Sequence, residues 1–250
     1  MKRLLIPLIA ICLAGPAVAG PLRLGIWEAA EPYFIRQGDE WTGMCADILR
    51  AVTANNPRQQ FVLPTQAMPV RRVEHEMLAG RADLVCGARI TAARQTAGMQ
   101  FLRVPIHITS ARLAVRADDP VQIRQWDDVR QLGDKGIVLI VQGNSEIERL
   151  QRDGIRLDAG SPSGEQNIRK LLAGRGRFFY ARESYFHYVA PKLKEFSQVR
   201  LLPVSLDSGG IFLFAAPHVP ASTVEQLNQD LQQLVKSGEL ARIVRSYEID

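Results

Sequence analysis

Several features that mark whole classes of protein are missing from this 250-residue sequence. Beyond Leu13 no apolar run approaches the roughly 18 residues that a membrane-spanning helix needs. The four histidines show no metal-ligand spacing, and there is no Cys-x-x-Cys, Gly-x-Ser-x-Gly or phosphate-binding glycine loop. Basic residues are scattered among acids, without a cationic stripe or interleaved aromatics. We therefore expect no nucleic-acid partner, no metal and no cofactor.

The beginning of the sequence has the pattern of a secretory signal peptide. A basic start is followed by an apolar run over residues 4–13 and by an Ala-Val-Ala cleavage site that ends at residue 19. The run is too short to span a bilayer as a stable helix. Residues 1–19 are therefore interpreted as a signal peptide, and we expect export to the periplasm.

Two cysteines, Cys45 and Cys86, remain after this segment. In an oxidising compartment they can pair, closing a loop of about 41 residues that the chain-entropy model values at about 4 kcal/mol. Two cysteines give no spacing pattern to test. A disulfide and two buried free thiols therefore both stay open from the sequence.

Strand and helix patterns alternate along the mature chain. Short apolar runs begin at Leu22, Phe61 and Ala82, and patterns of helical spacing cover residues 43–54 and 70–78 between them. Repeated βαβ units of this kind predict a largely parallel sheet with right-handed crossovers.

The pattern restarts after residues 107–116, which alternate like one long extended strand. A turn over residues 142–145 is expected to open a helix. The other predicted strands cover residues 136–141, 178–181, 199–204 and 211–215, and the other helices cover residues 126–132, 168–172, 183–189, 223–235 and 239–247.

Two such modules joined by extended strands predict an α/β protein with two lobes and a ligand-binding cleft between them. We expect residues 20–113 and 214–250 to form lobe 1 and residues 114–213 to form lobe 2. Bending is expected in the crossing strands near Ala114 and Phe214.

The segment after the third apolar run is the most informative part of the sequence. Thr91 and Arg94 follow this run within a few residues. The end of a core strand is where open α/β folds place their ligands, and the planar fork of guanidinium donors suits a carboxylate. With 31 lysines and arginines in the chain, a solvated loop arginine is the ordinary alternative.

Six short motifs occur in a recognisable order. They are Leu22-Arg23-Leu24-Gly25 before Pro32-Tyr33, Gly43-x-x-x-Asp47-Ile48, Arg72 with Gly80-Arg81-Ala82-Asp83, Ile90-Thr91-x-x-Arg94, Val141-Gln142-Gly143-Asn144-Ser145, and Ala173-Gly174-Arg175. In this order and spacing the chain resembles the extracytoplasmic solute-binding proteins of family 3, the periplasmic receptors of polar amino-acid ABC transporters. The resemblance implies a type II periplasmic-binding-protein fold, in which two mainly parallel sheets flanked by helices are joined by crossing strands.

The resemblance also implies which residues of lobe 1 bind a ligand. Arg94 would grip the ligand carboxylate with two hydrogen bonds, and Thr91 belongs to the same loop. Gly87 and Arg89 occupy positions from which family members contribute backbone and a small hydroxyl group. Trp27 and Tyr33 are candidates to stack on a flat or apolar part of the ligand, although either residue can equally be core.

In lobe 2 the implied site residues are Asn144 and Ser145. They lie where the family offers the N–H groups of a helix N-terminus to the same carboxylate. A simple helix cap without any ligand is the alternative for both residues.

Two arginines depart from the family pattern. Members that bind ordinary amino acids place an acidic residue where Arg182 falls here, with Glu183 one position beyond, and Arg89 replaces a small hydroxyl residue. If Arg89 and Arg182 face the cleft with Arg94, an anion with two acidic groups is better matched than a neutral α-amino acid. If Glu183 takes the acidic role, an amino acid fits again. Solvent-facing arginines are the third alternative.

These residues favour a monomeric, non-enzymatic periplasmic protein that captures a small polar, carboxylate-bearing solute for the membrane permease of an ABC importer. Two alternatives stay open. One is an enzyme resembling cyclohexadienyl dehydratase on the same scaffold, with Glu28, Glu31 or Glu183 as the general acid. The other is a periplasmic sensor or accessory binding protein without a transport role.

Overall fold

The structure is a computed structural model that describes residues 20–248. The predicted signal peptide over residues 1–19 lies outside the described residues. Within the described part, no helix combines the length and the apolar character needed to cross a membrane.

Strands and helices alternate in the first part of the chain, because short apolar runs are separated by segments whose apolar residues recur at helical spacing. The elements up to Arg116 are β1 (Leu22–Gly25), β2 (Ile35–Gln37), β3 (Glu40–Thr42), α1 (Met44–Asn55), β4 (Phe61–Val62), α2 (Val70–Leu78), β5 (Leu84–Ala88), α3 (Ala92–Thr96), β6 (Gln100–Phe101) and β7 (His107–Arg116).

The alternation continues in the second part and ends in two helices. The elements are α4 (Trp126–Gln131), β8 (Val138–Val141), α5 (Ile147–Arg152), β9 (Leu157–Ser161), α6 (Gly164–Leu172), β10 (Phe178–Arg182), α7 (Glu183–Tyr188), β11 (Val199–Leu201), β12 (Asp207–Ala215), α8 (Ala221–Lys236) and α9 (Glu239–Arg245).

The strands form two parallel groups with two long strands between them. The order is β4-β1-β5-β12-β7-β10-β8-β9, with β6 beside β12 and β11 beside β7. Pairing is parallel between β4, β1 and β5 and again between β10, β8 and β9. The central strands β7 and β12 run antiparallel to each other and to the parallel strands they meet. This is the predicted arrangement of two mainly parallel groups joined by crossing strands.

The hydrophobic core is divided between these two groups. One buried cluster takes its residues from Leu22 to Ile106 and again from Ile211 to Ile243. Two further clusters, one on each face of the second group of strands, take theirs from 111–202. The change from one core to the other supports the predicted division into lobes, whose boundaries stay a prediction.

The crossing strands pair with each other where the core changes. Residues 107–111 of β7 lie opposite residues 207–211 of β12. The residues at which bending is predicted lie deeper, inside the two cores: Ala114 pairs with Phe179, and Phe214 pairs with Val85. Both residues are completely buried, and bending near them stays a prediction.

The structure differs from the sequence predictions at several elements, including the short helix α3 and the strand β6, which were not predicted. The turn after β8 does not open a helix at once, because α5 begins only at Ile147. The hairpin β2–β3 and the edge strand β9 were not predicted. The sequence of β9, Leu-Asp-Ala-Gly-Ser, lacks the β-branched and aromatic residues by which strands are recognised.

Cys45 and Cys86 form a disulfide with their Cα atoms 6.0 Å apart. Both cysteines are buried in the first core. The bond joins α1 to β5, the strand that leads into the loop containing Arg94. It therefore fixes the strand end on which the predicted ligand loop rests.

We expect the double variant Cys45→Ala/Cys86→Ala to fold with a free energy of unfolding lower by about 2–5 kcal/mol, because the unfolded chain loses a cross-link. Urea unfolding followed by tryptophan fluorescence measures the difference. Wild-type protein unfolded in the presence of a reductant should approach the variant. If the oxidised wild type and the double variant had the same free energy of unfolding, the disulfide between Cys45 and Cys86 would be contradicted.

Asp83 ties three segments of the first group of strands together. Its carboxylate accepts hydrogen bonds from the backbone N–H of Arg23 at 2.7 Å, from Arg23 Nε at 2.8 Å and from Nε2 of His218 at 2.9 Å. Burial disfavours the charge, but the hydrogen bonds from Arg23 and His218 outweigh it and lower the pKa of the Asp83 carboxyl to about 2.

A carboxyl with a lowered pKa stabilises the folded protein above its unfolded pKa and loses that effect as the pH falls toward the folded pKa. We therefore expect Asp83→Asn to lower the free energy of unfolding at pH 7 by about 1–2 kcal/mol, since Arg23 is half-exposed and its charge is screened. The difference from wild type should shrink between about pH 4 and about pH 2.

Urea unfolding at a series of pH values tests this. Asp39→Asn is the matched control, because Asp39 is fully exposed and contacts Arg36 at 3.4 Å. The control should match wild type throughout. If the difference in free energy of unfolding between Asp83→Asn and wild type stayed constant from pH 7 to pH 2.5, the lowered pKa of Asp83 would be contradicted.

Candidate functional site

A cleft lies between the two groups of strands, where loops from both converge. The residues that line its first wall follow β1 or lie on α2 and α3, and are Trp27, Glu28, Ala29, Ala30, Glu31, Tyr33, Val70 and Arg94. The residues that line its second wall belong to the β8–α5 turn, the start of α6, β10 and α7, and are Val141, Gln142, Gly143, Asn144, Ser145, Gly164, Phe179, Tyr180, Ala181, Arg182 and Tyr185.

A wider groove on the outer side of the second group of strands is less suited to bind a ligand. Its central charges neutralise each other, because Arg177 donates to both carboxylate oxygens of Asp119 at 2.8 and 2.9 Å. The cleft between the walls is therefore the candidate site.

Arg94 on α3 is the most constrained charge in the cleft. Its Nε donates to Oε1 of Glu74 at 3.0 Å, and its Nη1 donates to the carbonyl oxygen of Arg89 at 2.8 Å. The guanidinium also lies 5.5 Å from the ring centroid of Trp27 and 5.6 Å from that of Phe214. Burial lowers the pKa of Arg94, against the opposite effect of Glu74, yet an arginine stays charged. The rigid cation keeps further N–H donors for a ligand.

The other predicted residues of the β5–α3 loop support the cleft more than they line it. Thr91 caps α3, because its hydroxyl accepts the backbone N–H of Arg94 at 3.2 Å. Gly87 has a φ of 98°, and a Cβ there would lie 3.1 Å from the ring of Tyr33, so a side chain is excluded. Arg89 points to the junction of the walls, with Nη2 donating to the carbonyl of Asp207 at 3.3 Å and Nη1 4.0 Å from Glu146.

Asn144 and Ser145 line the second wall as predicted candidates, but their backbone serves the turn as well as the cleft. The side-chain oxygen of Asn144 accepts the N–H of Glu146 at 2.9 Å, and its carbonyl accepts the N–H of Ile147 at 3.2 Å. The helix α5 begins at Ile147, so Asn144 and Ser145 lie in the turn ahead of its N-terminus, and their contact with a ligand stays a prediction.

Arg182 and Glu183 point in different directions. Arg182 lines the cleft, donates from Nη1 to the carbonyl of Gly87 at 3.1 Å and lies 5.3 Å from the ring centroid of Tyr33. Glu183 instead pairs with Arg112 of β7 at 2.6 Å. Of the three alternatives left open by the sequence, the structure favours the one in which Arg182 faces the cleft.

Trp27 and Tyr33 both line the first wall, each with a cation over its ring. The Tyr33 hydroxyl lies 2.9 Å from Nδ1 of His107, whose Nε2 lies 3.0 Å from Glu248. Burial lowers the pKa of His107, so the neutral ring is favoured. A neutral ring satisfies both contacts when Nε2–H donates to the carboxylate and Nδ1 accepts from Tyr33.

Several residues of the site were missed by the sequence analysis, among them Glu74, Gln142 and Tyr185. Glu74 and Arg94 form an ion pair although they are 20 residues apart in the sequence, and no local sequence pattern connects residues so far apart. Tyr185 had a usable signal, because it lies in the first turn of the helix that directly follows Arg182.

The charges of the cleft are distributed by depth. Arg94 is 8% exposed and Arg182 is half-buried, whereas Glu28 and Glu31, which also line the cleft, are exposed. Water screens the exposed acids far more than the buried cation. The arrangement is therefore suited to hold a negatively charged group on the inner side of the cleft.

Comparisons with known proteins give the family and the fold of the chain. The sequence profile of the bacterial extracellular solute-binding proteins, family 3, matches residues 22–249. No curated protein is similar to the chain at a significant level.

Solved structures with the same architecture include three binding proteins. A mutant of ArgBP from T. maritima is 17% identical, with 91% of this chain and 95% of that chain covered and a TM-score of 0.74. A putative ABC-transporter binding component from Wolinella succinogenes, complexed with lysine, is 15% identical, with 92% and 97% covered and a TM-score of 0.77. An ancestral amino acid-binding protein, described as a precursor of cyclohexadienyl dehydratase, is 16% identical, with 92% and 96% covered and a TM-score of 0.75.

At such low identity these likenesses show the fold alone, and they confirm the predicted two-lobed α/β periplasmic-binding-protein fold. The profile match covers almost the whole described chain. The protein therefore belongs to the bacterial extracellular solute-binding proteins of family 3.

Proposed function

We propose that the protein is a periplasmic binding protein that captures a small carboxylate-bearing solute, an amino acid or a related organic anion, for an ABC importer. The observation that carries this proposal is Arg94, a buried guanidinium held by Glu74 and a backbone carbonyl at the edge of the cleft. Because the side chain is already fixed, little further conformational entropy is lost when a carboxylate binds to it.

Capture is coupled to closure of the two lobes. A ligand that touches Arg94 on the first wall and Asn144, Ser145 or Arg182 on the second makes all of its contacts only when the walls are close together. Such a ligand favours the closed form by its difference in affinity for the two forms. The closed form is then the state that a membrane permease recognises.

The proposed location follows from the signal-peptide pattern and is supported by the disulfide. Residues 1–19 direct export, and a bond between Cys45 and Cys86 persists in an oxidising compartment. We propose that the mature protein acts as a monomer, with the permease as its protein partner.

Replacing the fork of Arg94 tests the proposal. Arg94→Lys keeps a positive charge near Glu74 but removes the paired donors, so we expect a carboxylate ligand found by thermal-shift screening to bind about tenfold or more weakly. Arg94→Ala should abolish detectable binding. Isothermal titration calorimetry measures both, and circular dichroism verifies folding, because the alanine variant leaves Glu74 without its cation.

Arg103→Lys is the matched control. Arg103 belongs to the same group of strands and also pairs with a glutamate, Glu225, at 2.8 Å, but the pair is exposed and remote from the lining residues. It should bind as wild type does. Unchanged affinity in both Arg94 variants would contradict the proposed site.

The proposal also excludes turnover of prephenate or arogenate, the substrates of the dehydratase alternative. Three acids were named as the general acid of that alternative. Glu183 forms an ion pair with Arg112, and Glu28 and Glu31 line the cleft but are exposed to solvent. We expect the purified protein to leave both compounds unchanged when the mixture is followed by chromatography. Product formation above the uncatalysed rate would replace binding by catalysis as the function.

A further inference from the structure

Arg182 brings a positive charge into the cleft that the protein does not neutralise. Within residues 20–248 its guanidinium forms no ion pair, and its contacts are the carbonyl of Gly87 and the ring of Tyr33. The adjacent acid, Glu183, is turned to Arg112 at 2.6 Å. A carbonyl oxygen and a ring face attract a cation but carry no net charge. The guanidinium therefore still lacks a counterion.

The two cleft arginines, Arg94 and Arg182, oppose each other electrostatically. Burial is the main cause that lowers the pKa of Arg94, and the charge of Arg182 adds to it. Glu74 compensates this in part, but its side chain is 32% exposed whereas that of Arg94 is 9% exposed. Water screens the acid more strongly than the cation. The cleft thus keeps an excess of positive charge on its inner side.

Tyr185 adds a neutral donor to the same wall. Its hydroxyl is buried and has no hydrogen-bond partner within the described chain. Burial, together with the charges of Glu31 and Glu165, raises the pKa of Tyr185, so the hydroxyl keeps its proton. Gly164 lies against this side chain, where a Cβ would come within 2.4 Å of the hydroxyl oxygen. An unpaired buried hydroxyl costs free energy unless a ligand satisfies it.

Arg182 is the last residue of β10, and Tyr185 lies in the first turn of the helix α7 that follows it. Both line the cleft. A guanidinium can only donate, and a phenol that keeps its proton donates readily to an anion. An ammonium group is a donor as well, so it finds no acceptor in this pair and is repelled by Arg182.

We propose that Arg182 and Tyr185 form a second acid-binding subsite, and that the ligand is a small organic anion with two acidic groups. One acidic group binds Arg94 on the first wall, and the other binds Arg182 and Tyr185 on the second wall. This inference rests on the proposed function and narrows its ligand class. A neutral α-amino acid is disfavoured because Arg182 repels its ammonium, and because the acids that line the cleft, Glu28 and Glu31, are exposed and screened by water.

Calorimetry with matched ligand pairs tests the ligand class. Succinate, glutarate and adipate each carry two carboxylates, whereas L-asparagine and L-glutamine replace the second acid by an amide and add an ammonium. We expect at least one dicarboxylate to bind about tenfold or more tightly than either amide. Asparagine or glutamine binding as tightly as the best dicarboxylate would overturn the inference.

Variants of the second wall test the residues. Arg182→Gln should weaken the best dicarboxylate about tenfold or more, and Tyr185→Phe should weaken it severalfold without lowering the melting temperature, because no protein partner is lost. Arg152→Gln is the matched control, since it removes the same charge from an exposed position on α5. Unchanged or improved dicarboxylate binding by Arg182→Gln would refute the subsite.

The two levels of the proposal fail in different ways. If the Arg94 variants lose binding of an amino acid while no dicarboxylate binds, the capture function stands and the second subsite is wrong. If no member of either ligand set binds the wild-type protein, and a wider thermal-shift screen of carboxylates is also negative, the proposed function fails and the subsite fails with it.

Discussion

The site depends on the fixation of one buried cation. Arg94 is held by the carboxylate of Glu74, by the carbonyl of Arg89 and by the faces of two aromatic rings. Each contact comes from a different part of the first lobe. The guanidinium can therefore take this position only when α2, the β5–α3 loop and β12 are packed together. A mobile arginine would lose part of its binding energy to ordering. The guanidinium of Arg94 is instead held in place by contacts within the protein itself.

The second lobe approaches this cation through contacts that cross the cleft. Arg182 reaches the carbonyl of Gly87, and Arg89 reaches back to Asp207 on the crossing strand. Asp207 in turn accepts from the hydroxyl of Tyr180 at 3.0 Å. These contacts are polar, and they link the residues of one wall directly to those of the other.

The sequence predicts the parts of this structure that are encoded locally. The helix at residues 70–78 and the strand at residues 107–116 have the predicted bounds, because their periodicity is complete within each segment. The direction of Glu183 could not be predicted. It depends on the register of β10 against β7, which sets Ala181 opposite Arg112, and a register shift of one residue reverses every side chain. The Glu74–Arg94 pair likewise exists only after folding.

The contacts of His107 give the end of the chain a structural role. The histidine on the crossing strand lies between Tyr33, whose ring lines the cleft, and Glu248 near the C-terminus. The last described residue is thus fastened to the ligand pocket through one imidazole. Gly20 and Pro21, at the start of the described chain, are exposed instead. A purification tag or reporter inserted ahead of Gly20 is therefore less disruptive than one inserted directly after Glu248, because Glu248 contacts the histidine that supports a cleft-lining tyrosine.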